Sequence, residues 1–197
     1  MFTGIVQAVG EVRAVTPRGG DVELLIGAPD LDLKTVAIGD SISCSGCCLT
    51  VTRIDGDAFA ADASLETLNV TTLGQWRPGH KLNLEKALCA GQPLGGHYVT
   101  GHVDGIATVT ERVNDARSIR VQFEVPVPLA KYIARKGSVC IDGVSLTVND
   151  VDGAKFSVNL IPHTLEVTTL NEYRVGTRVN LEVDIIARYL ERLNAPA

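Results

Sequence analysis

The sequence repeats itself at a constant offset of 97 residues. Residues 46–51 (GCCLTV) return as residues 143–148 (GVSLTV), and 18 of the 43 positions in 46–88 are identical to their counterparts in 143–185 without a gap. Self-similarity at a fixed period is typical of a duplicated structural unit. The chain is therefore expected to fold as two copies of one unit, and any functional site is expected in two related versions.

Each repeat has the pattern of short β-strands. Polar and apolar residues alternate over 178–185, as in a strand with one buried face. Asp55-Gly56 and Asp152-Gly153 each follow such a segment, and this dipeptide favours a tight hairpin turn. Several short strands within ~90 residues favour a small closed barrel, because closure leaves no exposed strand edge. The fold class is therefore predicted to be all-β.

The end of the chain departs from the repeat. Apolar residues recur at helical spacing over 185–193, Asp184 is placed to cap the helix N-terminus, and Pro196 lies beyond the helix end. The first repeat has no counterpart of this segment, so an amphipathic helix without a partner in its own chain indicates a contact between subunits. The sequence thus predicts a first barrel over 1–93, a second barrel over 94–184, and a helix and tail over 185–197.

Composition excludes several classes of partner. The net charge of −5 and the aromatic content of 5% do not favour nucleic-acid binding, which needs a basic face and stacking platforms. No stretch approaches the ~20 apolar residues of a membrane helix, so no membrane association is expected. The five cysteines, an odd number, favour a reduced cytoplasmic protein over a disulfide framework.

Several motifs, taken together and in order, resemble the riboflavin synthase α-subunit family. No single motif is decisive, but they span nearly the whole chain. They are residues 1–6 (MFTGIV), 46–51 (GCCLTV), 95–105 (GGHYVTGHVDG), 136–138 (KGS), 141–143 (IDG), 160–165 (LIPHTL) and 180–184 (NLEVD).

The resemblance implies a fold and a reaction. The fold is two tandem six-stranded Greek-key barrels with a C-terminal helix that forms a homotrimer, in which active sites lie between barrels of neighbouring subunits. The reaction is a dismutation of two 6,7-dimethyl-8-ribityllumazine molecules: a four-carbon unit moves from one to the other, giving riboflavin and 5-amino-6-ribitylamino-pyrimidinedione. The family uses no metal or redox cofactor, and an association with lumazine synthase is a further implied partnership.

The repeat places Cys48 and Ser145 at the same position. Cys48 and Thr50 should share one strand face, as should Ser145 and Thr147. A thiolate is the better nucleophile, so Cys48 is predicted to add to the lumazine or activate it, and Ser145 to hydrogen-bond in the other site. The alternative for Cys48 is a small buried residue without a chemical role.

Two histidines and one aspartate complete the predicted catalytic set. His102 replaces Ile5 of the first repeat, and a group that titrates near neutrality suits removal of a proton from the lumazine 7-methyl group. His97 is either a site residue or a structural histidine; five positions from His102 on a strand, it should face the other side, so no metal site is expected. Asp184 is either a helix cap alone or, as in the family, also catalytic. The predicted catalytic residues are Cys48, His102, Ser145 and Asp184.

The resemblance also implies a set of substrate contacts, mostly in equivalent segments of the two repeats. Two departures from the family pattern, Ser45 and residues 63–65 (ASL), are contact-loop changes expected to alter affinity without abolishing the chemistry. The predicted substrate-binding residues are Phe2, Thr3, Gly4, Ile5, Val6, Ser41, Leu49, Thr50, Asp62, Ala63, Ser64, Leu65, Glu66, Thr67, His97, Gly101, Val103, Lys136, Leu146, Thr147, Asn159, Leu160, Ile161, Pro162, His163 and Thr164.

Two other functions compete with catalysis. Lumazine proteins of the same duplicated fold bind one lumazine or flavin tightly and do no chemistry; the joint presence of the four predicted catalytic residues argues for the enzyme instead. A flavin-dependent reductase module with a similar barrel is the more distant alternative. Its Arg-x-Tyr-Ser/Thr flavin motif is absent from the sequence, as is a nucleotide-binding Gly-rich βαβ unit.

Overall fold

The computed structural model describes residues 1–195, which form twelve strands and four α-helices. Pro196, expected beyond the last helix, lies outside the described residues. The strands of the first repeat are β1 (Ala8–Arg18), β2 (Asp21–Gly27), β3 (Ser41–Cys44), β4 (Cys47–Asp55), β5 (Ala58–Ala63) and β6 (Lys81–Lys86). Those of the second are β7 (Gly105–Asp115), β8 (Ser118–Glu124), β9 (Ser138–Ile141), β10 (Val144–Asp152), β11 (Lys155–Leu160) and β12 (Arg178–Val183).

Each repeat closes into a six-stranded antiparallel barrel. The strand order around the first barrel is β1-β2-β5-β4-β3-β6, and β7-β8-β11-β10-β9-β12 repeats it in the second. Gly56 and Gly153 adopt φ of +62° and +57° in the turns between the fourth and fifth strands of each barrel. Glycine tolerates this left-handed conformation, so the predicted hairpins and the predicted duplicated all-β fold are confirmed.

Each barrel has its own core. In the first, Phe59 and Trp76 are almost completely buried among aliphatic residues. In the second, Phe123 stacks on Phe156 and meets the edge of Tyr173. Burial of such aromatic side chains contributes strongly to barrel stability.

The segments that precede the two barrels are exchanged between them. Phe2 and Val99, at equivalent positions of the repeat, join by two backbone hydrogen bonds of 2.7 and 3.2 Å. Beyond this point Val6 of the first repeat packs against the core of the second barrel, and Val103 of the second repeat packs against the core of the first. Each barrel is therefore completed by a segment of the other repeat.

The last strand of each barrel is more buried than its alternation of polar and apolar residues predicts. The outward-facing Asn180 and Glu182 of β12 are only 1% and 3% exposed, and Asn83 and Glu85 of β6 have the same values. The expected half-buried strand is thus wrong for β12. Its polar face is shielded from solvent: Asn180 hydrogen-bonds residues of the first barrel, and Glu182 hydrogen-bonds the exchanged segment of its own repeat.

Four short helices complete the fold. They are α1 (Leu65–Val70), α2 (Val127–Ala130), α3 (Pro162–Val167) and α4 (Ile185–Asn194), with 3₁₀ turns at Leu33–Thr35, Thr72–Gln75 and Thr169–Glu172. Asp184 caps α4 as predicted, because its Oδ1 accepts the backbone N–H of Ile186 at 3.0 Å. Within residues 1–195, no helix has the length and apolar character required to cross a membrane.

Candidate active sites

A cavity of about 350 Å³ opens on the outer face of the first barrel and is called the first site here. It combines a strand and a helix of the first repeat with a segment of the second. Cys48 lies on β4, half-buried on the outward face, and His102 faces the cavity from the exchanged segment. The lining residues are Cys47, Cys48, Ser64, Glu66, Thr67, Val70, Thr71, Gly101, His102 and Val103.

Gly101 brings the exchanged segment against Cys48. Its carbonyl accepts the backbone N–H of Cys48 at 2.9 Å, and its φ is +80°. A Cβ on residue 101 would lie 2.6 Å from the Cβ of Cys48, so no larger residue fits without displacement. The glycine therefore allows the backbone that carries His102 to lie directly against β4 at Cys48.

The second barrel carries an equivalent arrangement, called the second site. Ser145 of β10 donates its backbone N–H to the carbonyl of Gly4 at 2.8 Å. Gly4 has a φ of +77°, and a Cβ there would lie 2.5 Å from the Cβ of Ser145. Ile5 and Val6 follow Gly4, as His102 and Val103 follow Gly101. The two sites thus share a backbone frame and differ in the side chains that the frame presents.

His97 belongs to the second site. Its Nδ1 lies 2.6 Å from Oγ of Ser145, and its backbone N–H donates to the carbonyl of Thr3. Burial lowers the pKa of His97, and the nearby charge of Asp184 opposes this shift. The assumption that His97 and His102 share a strand is wrong, since both lie in an irregular extended segment. His102 therefore lies at the first site and His97 at the second.

The cysteines differ sharply in accessibility. Cys44, Cys47 and Cys140 are buried, and burial raises the pKa of each of these thiols. Cys48 is partly exposed at the first site, whereas Cys89 is exposed in the segment between the barrels. Because the thiolate is the reactive form, Cys48 is the cysteine placed for chemistry at the first site.

The predicted contacts near the helix starts lie at equivalent positions of the two repeats. Ser64 caps α1 by accepting the backbone N–H of Thr67, and Glu66 lies beside it in the first site. In the second repeat, Pro162 begins α3 and His163 is exposed next to it. The remaining exposed or partly exposed predictions are Ile5, Val6, Thr50, Asp62, Leu65, Thr147, Asn159, Ile161 and Thr164.

Other predicted contacts do not line the first site. Ser41 lines a different cavity, of about 370 Å³, with Asp32 and Lys86. Lys136 is exposed with a φ of +66° and is absent from the lining of the first site. Five further side chains are buried in the cores, so only their backbone atoms remain for a bound molecule: Phe2, Leu49, Ala63, Leu146 and Leu160.

Comparison with known proteins identifies the family. The model of the lumazine binding domain matches residues 3–87 and again 100–184. Riboflavin synthase of Photobacterium phosphoreum is 47% identical over 98% of this chain and 88% of its own length. The chain belongs to the lumazine-binding riboflavin synthase family. Among solved structures, LumP complexed with riboflavin superimposes with a TM-score of 0.85 at 31% identity, over 93% of this chain and 99% of LumP. LumP complexed with 6,7-dimethyl-8-(1'-D-ribityl) lumazine gives 0.83 at 28% identity, over the same shares.

Two buried carboxylates of the duplicated frame are not among the residues that the sequence predicts for the sites. Glu85 accepts hydrogen bonds from Thr3 and Gly4, and Glu182 accepts the equivalent bonds from Thr100 and Gly101. Burial raises the pKa of both carboxyls, and these hydrogen bonds oppose the shift. The available signal was their identity in both repeats at positions that alternation assigns to solvent.

Proposed function

We propose that this chain is a riboflavin synthase, a transferase that converts two molecules of 6,7-dimethyl-8-ribityllumazine into riboflavin and 5-amino-6-ribitylamino-pyrimidinedione. The observation that carries the proposal is the pair of equivalent sites with unequal side chains. Cys48 and His102 meet in the first site, whereas Ser145 and Ile5 occupy the same positions in the second. The curated relative from Photobacterium, at 47% identity, supports the same activity.

The chemistry needs two similar but unequal sites. Both substrates are the same molecule, so one duplicated frame serves both. One substrate gives up a four-carbon unit and the other receives it, so the side chains around them must differ. In the first site, Cys48 supplies the nucleophile and His102 exchanges protons with the ring substituents. In the second, His97 contacts the Ser145 hydroxyl, and we expect this pair to hydrogen-bond the other lumazine.

Asp184 has a supporting role in this scheme. Its carboxylate caps α4, and its charge acts on His97, which in turn contacts Ser145. Asp184 therefore influences the second site through His97 while also fixing the start of the last helix.

We also propose that the working form is a homotrimer. The outer face of α4 exposes large apolar side chains, and polar contacts such as that between Glu191 and Lys131 attach the opposite face to the second barrel. The exposed side chains are Ile186 (56%), Tyr189 (67%), Leu190 (54%) and Leu193 (81%). Such a stripe favours burial against other subunits. Sites shared between subunits, and an association with lumazine synthase, follow from the family resemblance.

A cytoplasmic location is part of the same proposal. The five cysteines are all free, and three of them are buried as thiols. Free buried thiols are typical of proteins that work in a reducing compartment. The proposed substrate and products are small molecules, which requires no nucleic acid or membrane partner.

The decisive experiment uses the lumazine as sole substrate. The purified protein is incubated with 6,7-dimethyl-8-ribityllumazine without any added cofactor, and the products are separated by chromatography. We expect riboflavin and the pyrimidinedione in equal amounts, one of each for two lumazines consumed. Lumazine that binds stoichiometrically but returns unchanged would favour a non-catalytic lumazine-binding protein of the same fold.

A further inference from the structure

Each barrel holds, on its last strand, a buried carboxylate that grips the segment leading into the opposite site. Glu182 lies on β12 of the second barrel and Glu85 on β6 of the first, each 3% exposed. Neither residue lines the first site. Burial of a carboxylate costs free energy unless its oxygens are fully hydrogen-bonded. The hydrogen-bond partners of each glutamate therefore indicate its role.

Glu182 is connected to the first site by a short chain of contacts. Its Oε1 accepts the N–H and the Oγ1–H of Thr100 at 2.6 and 2.7 Å, and its Oε2 accepts the N–H of Gly101 at 2.9 Å. Gly101 then accepts the N–H of Cys48, while Oγ1 of Thr100 accepts the N–H of His102. The predicted nucleophile and the predicted proton carrier are therefore both one residue away from groups that Glu182 holds.

Glu85 repeats this arrangement at the second site. Its Oε1 accepts the N–H and the Oγ1–H of Thr3 at 2.7 and 2.6 Å, and its Oε2 accepts the N–H of Gly4 at 2.9 Å. Gly4 accepts the N–H of Ser145, and Ile5 donates to Oγ1 of Thr3. The carboxylate of one barrel thus sets the backbone that frames the site on the other.

From these contacts we infer that Glu182 is a positioning residue for the first site and Glu85 for the second, so that each barrel organises the chemistry of its partner repeat. The inference rests on the proposed function for its catalytic meaning. Its structural content, that Glu182 controls the surroundings of Cys48, is independent of turnover.

Strand adjacency alone would assign each glutamate to the site on its own barrel, not to the opposite site. Within the first barrel, Ser43 of β3 pairs with Cys48 of β4 on one side and with Glu85 of β6 on the other. Glu85 is therefore only two strands from Cys48 in its own sheet, and Glu182 stands in the same relation to Ser145 through Cys140. A merely structural carboxylate would disturb the site on its own barrel first.

Substitution by glutamine distinguishes a positioning role at the opposite site from a merely structural role in the residue's own barrel. It preserves the volume of the side chain but replaces one acceptor oxygen with an amide group that donates. In Glu182→Gln, one of the N–H groups of Thr100 and Gly101 then faces another donor, and the segment can no longer stay in place. Misplacement of catalytic groups by about 1 Å costs on the order of a hundredfold in rate.

The test measures thiol alkylation in a Cys89→Ser background, which removes the exposed cysteine outside the sites. Iodoacetamide is added to the full-length protein, and the modified peptides are quantified by mass spectrometry. Glu182→Gln should speed alkylation of Cys48 several-fold because the covering segment is loosened, whereas Glu85→Gln should leave that rate unchanged. A reciprocal reporter, the Ser145→Cys variant, should respond to Glu85→Gln and not to Glu182→Gln.

Two further measurements keep the outcome decisive. The milder Thr100→Val and Thr3→Val variants each remove one hydroxyl from the same contacts and should reproduce the crossed pattern if a glutamine variant does not fold. The pH profile of turnover should change with Glu182→Gln, and Glu182→Asp should restore it in part.

Alkylation of Cys48 that responds to Glu85→Gln as strongly as to Glu182→Gln would overturn the inference. If the wild-type protein makes no riboflavin but alkylation shows the crossed pattern, the proposed function fails and the positioning role stands. If riboflavin forms and the crossed pattern is absent, only the positioning role fails.

Discussion

Asn83 and Asn180, at equivalent positions of the two repeats, make the same pair of hydrogen bonds across the boundary between the barrels in opposite directions. The side-chain amide of Asn83 donates to the carbonyl of Asp142 at 2.8 Å, and its Oδ1 accepts the backbone N–H of Thr169 at 2.9 Å. Asn180 makes the equivalent two bonds to the first barrel at 2.8 Å each. Both asparagines are 1% exposed, so the barrels are joined by specific, water-excluded polar contacts.

Substitution of either asparagine should therefore lower the free energy of unfolding of the chain. Asn83→Ala leaves the part-buried Thr169 N–H and Asp142 carbonyl without their partner, and an unsatisfied group costs about 1–3 kcal/mol. We expect the free energy of unfolding in urea to fall by roughly 2–6 kcal/mol. The matched control is Asn114→Ala, because Asn114 is exposed on β7; it should change stability by less than about 0.5 kcal/mol. Equal effects of the two variants would contradict the role given to Asn83.

Gly101→Ala should slow turnover strongly without unfolding the protein. The new Cβ would meet Cys48 at 2.6 Å in a backbone with a φ of +80°, so the exchanged segment must move away from the first site. We expect riboflavin formation to fall by roughly a hundredfold, as for other small displacements of reacting groups. Gly56→Ala is the control, because Gly56 has a φ of +62° with open space around it. It should cost about 1–2 kcal/mol of stability and leave the rate unchanged.

The repeat predicted most of the fold because its signal is local. The alternation along strands and the Asp-Gly turns depend on neighbours in the chain, and the structure has the two closed barrels that they predict. The last strand was predicted less well. Asn180 and Glu182 have the polarity of a solvent-facing edge, but Asn180 is buried against the first barrel and Glu182 binds the exchanged segment. One strand's pattern does not reveal which surface will cover its polar face.

The sites were predictable in part for the same reason. Cys48 and Ser145 were found by comparing the repeats, which needs no knowledge of packing. The contact of His97 with Ser145 joins residues 48 positions apart across an irregular segment, where no periodicity fixes the side-chain direction. The role of Glu182 depends on the exchange of segments between barrels, which the sequence does not encode in any local pattern.

The two nucleophile positions should respond unequally to substitution. Cys48→Ser replaces a thiol with a hydroxyl that ionises far less readily, so the rate should fall by roughly a hundredfold, the lower range for losing a positioned catalytic group. Ser145→Cys keeps a hydrogen-bonding group of similar size beside His97 and should cost about tenfold or less. Steady-state rates of riboflavin formation check this. A larger loss from Ser145→Cys would place the nucleophile in the second site.

The exposed face of α4 predicts a subunit contact. Leu193→Asp puts a charge on the most exposed apolar position of this face, which is 81% exposed in the single chain. The assembly should dissociate, and sedimentation velocity should show monomers where the wild-type protein gives trimers. Glu191→Gln, on the opposite face that contacts Lys131, is the control and should leave the trimer intact. Wild-type protein that sediments as a monomer would contradict the assembly outright.

The stability of the chain should depend on pH through Asp142. Burial raises the pKa of this carboxyl from its ordinary value of 3.8 to about 7, although hydrogen bonds from Tyr173 and from the backbone of Asn180 oppose the shift. Between pH 4 and 7 the folded protein therefore holds a proton that the unfolded chain releases, so this group adds stability as the pH falls through about 7.

Asp142→Asn removes that contribution while leaving an acceptor and a donor in place for the same two partners. The free energy of unfolding of the variant, minus that of the wild type, should become more negative from pH 8 to pH 5, by at most about 1.4 kcal/mol per pH unit. Urea unfolding at both pH values measures this difference. Asp152→Asn is the matched control, because it makes the same substitution at an exposed position on β10. A constant difference for Asp142→Asn would mean that the carboxyl stays ionised in the folded protein.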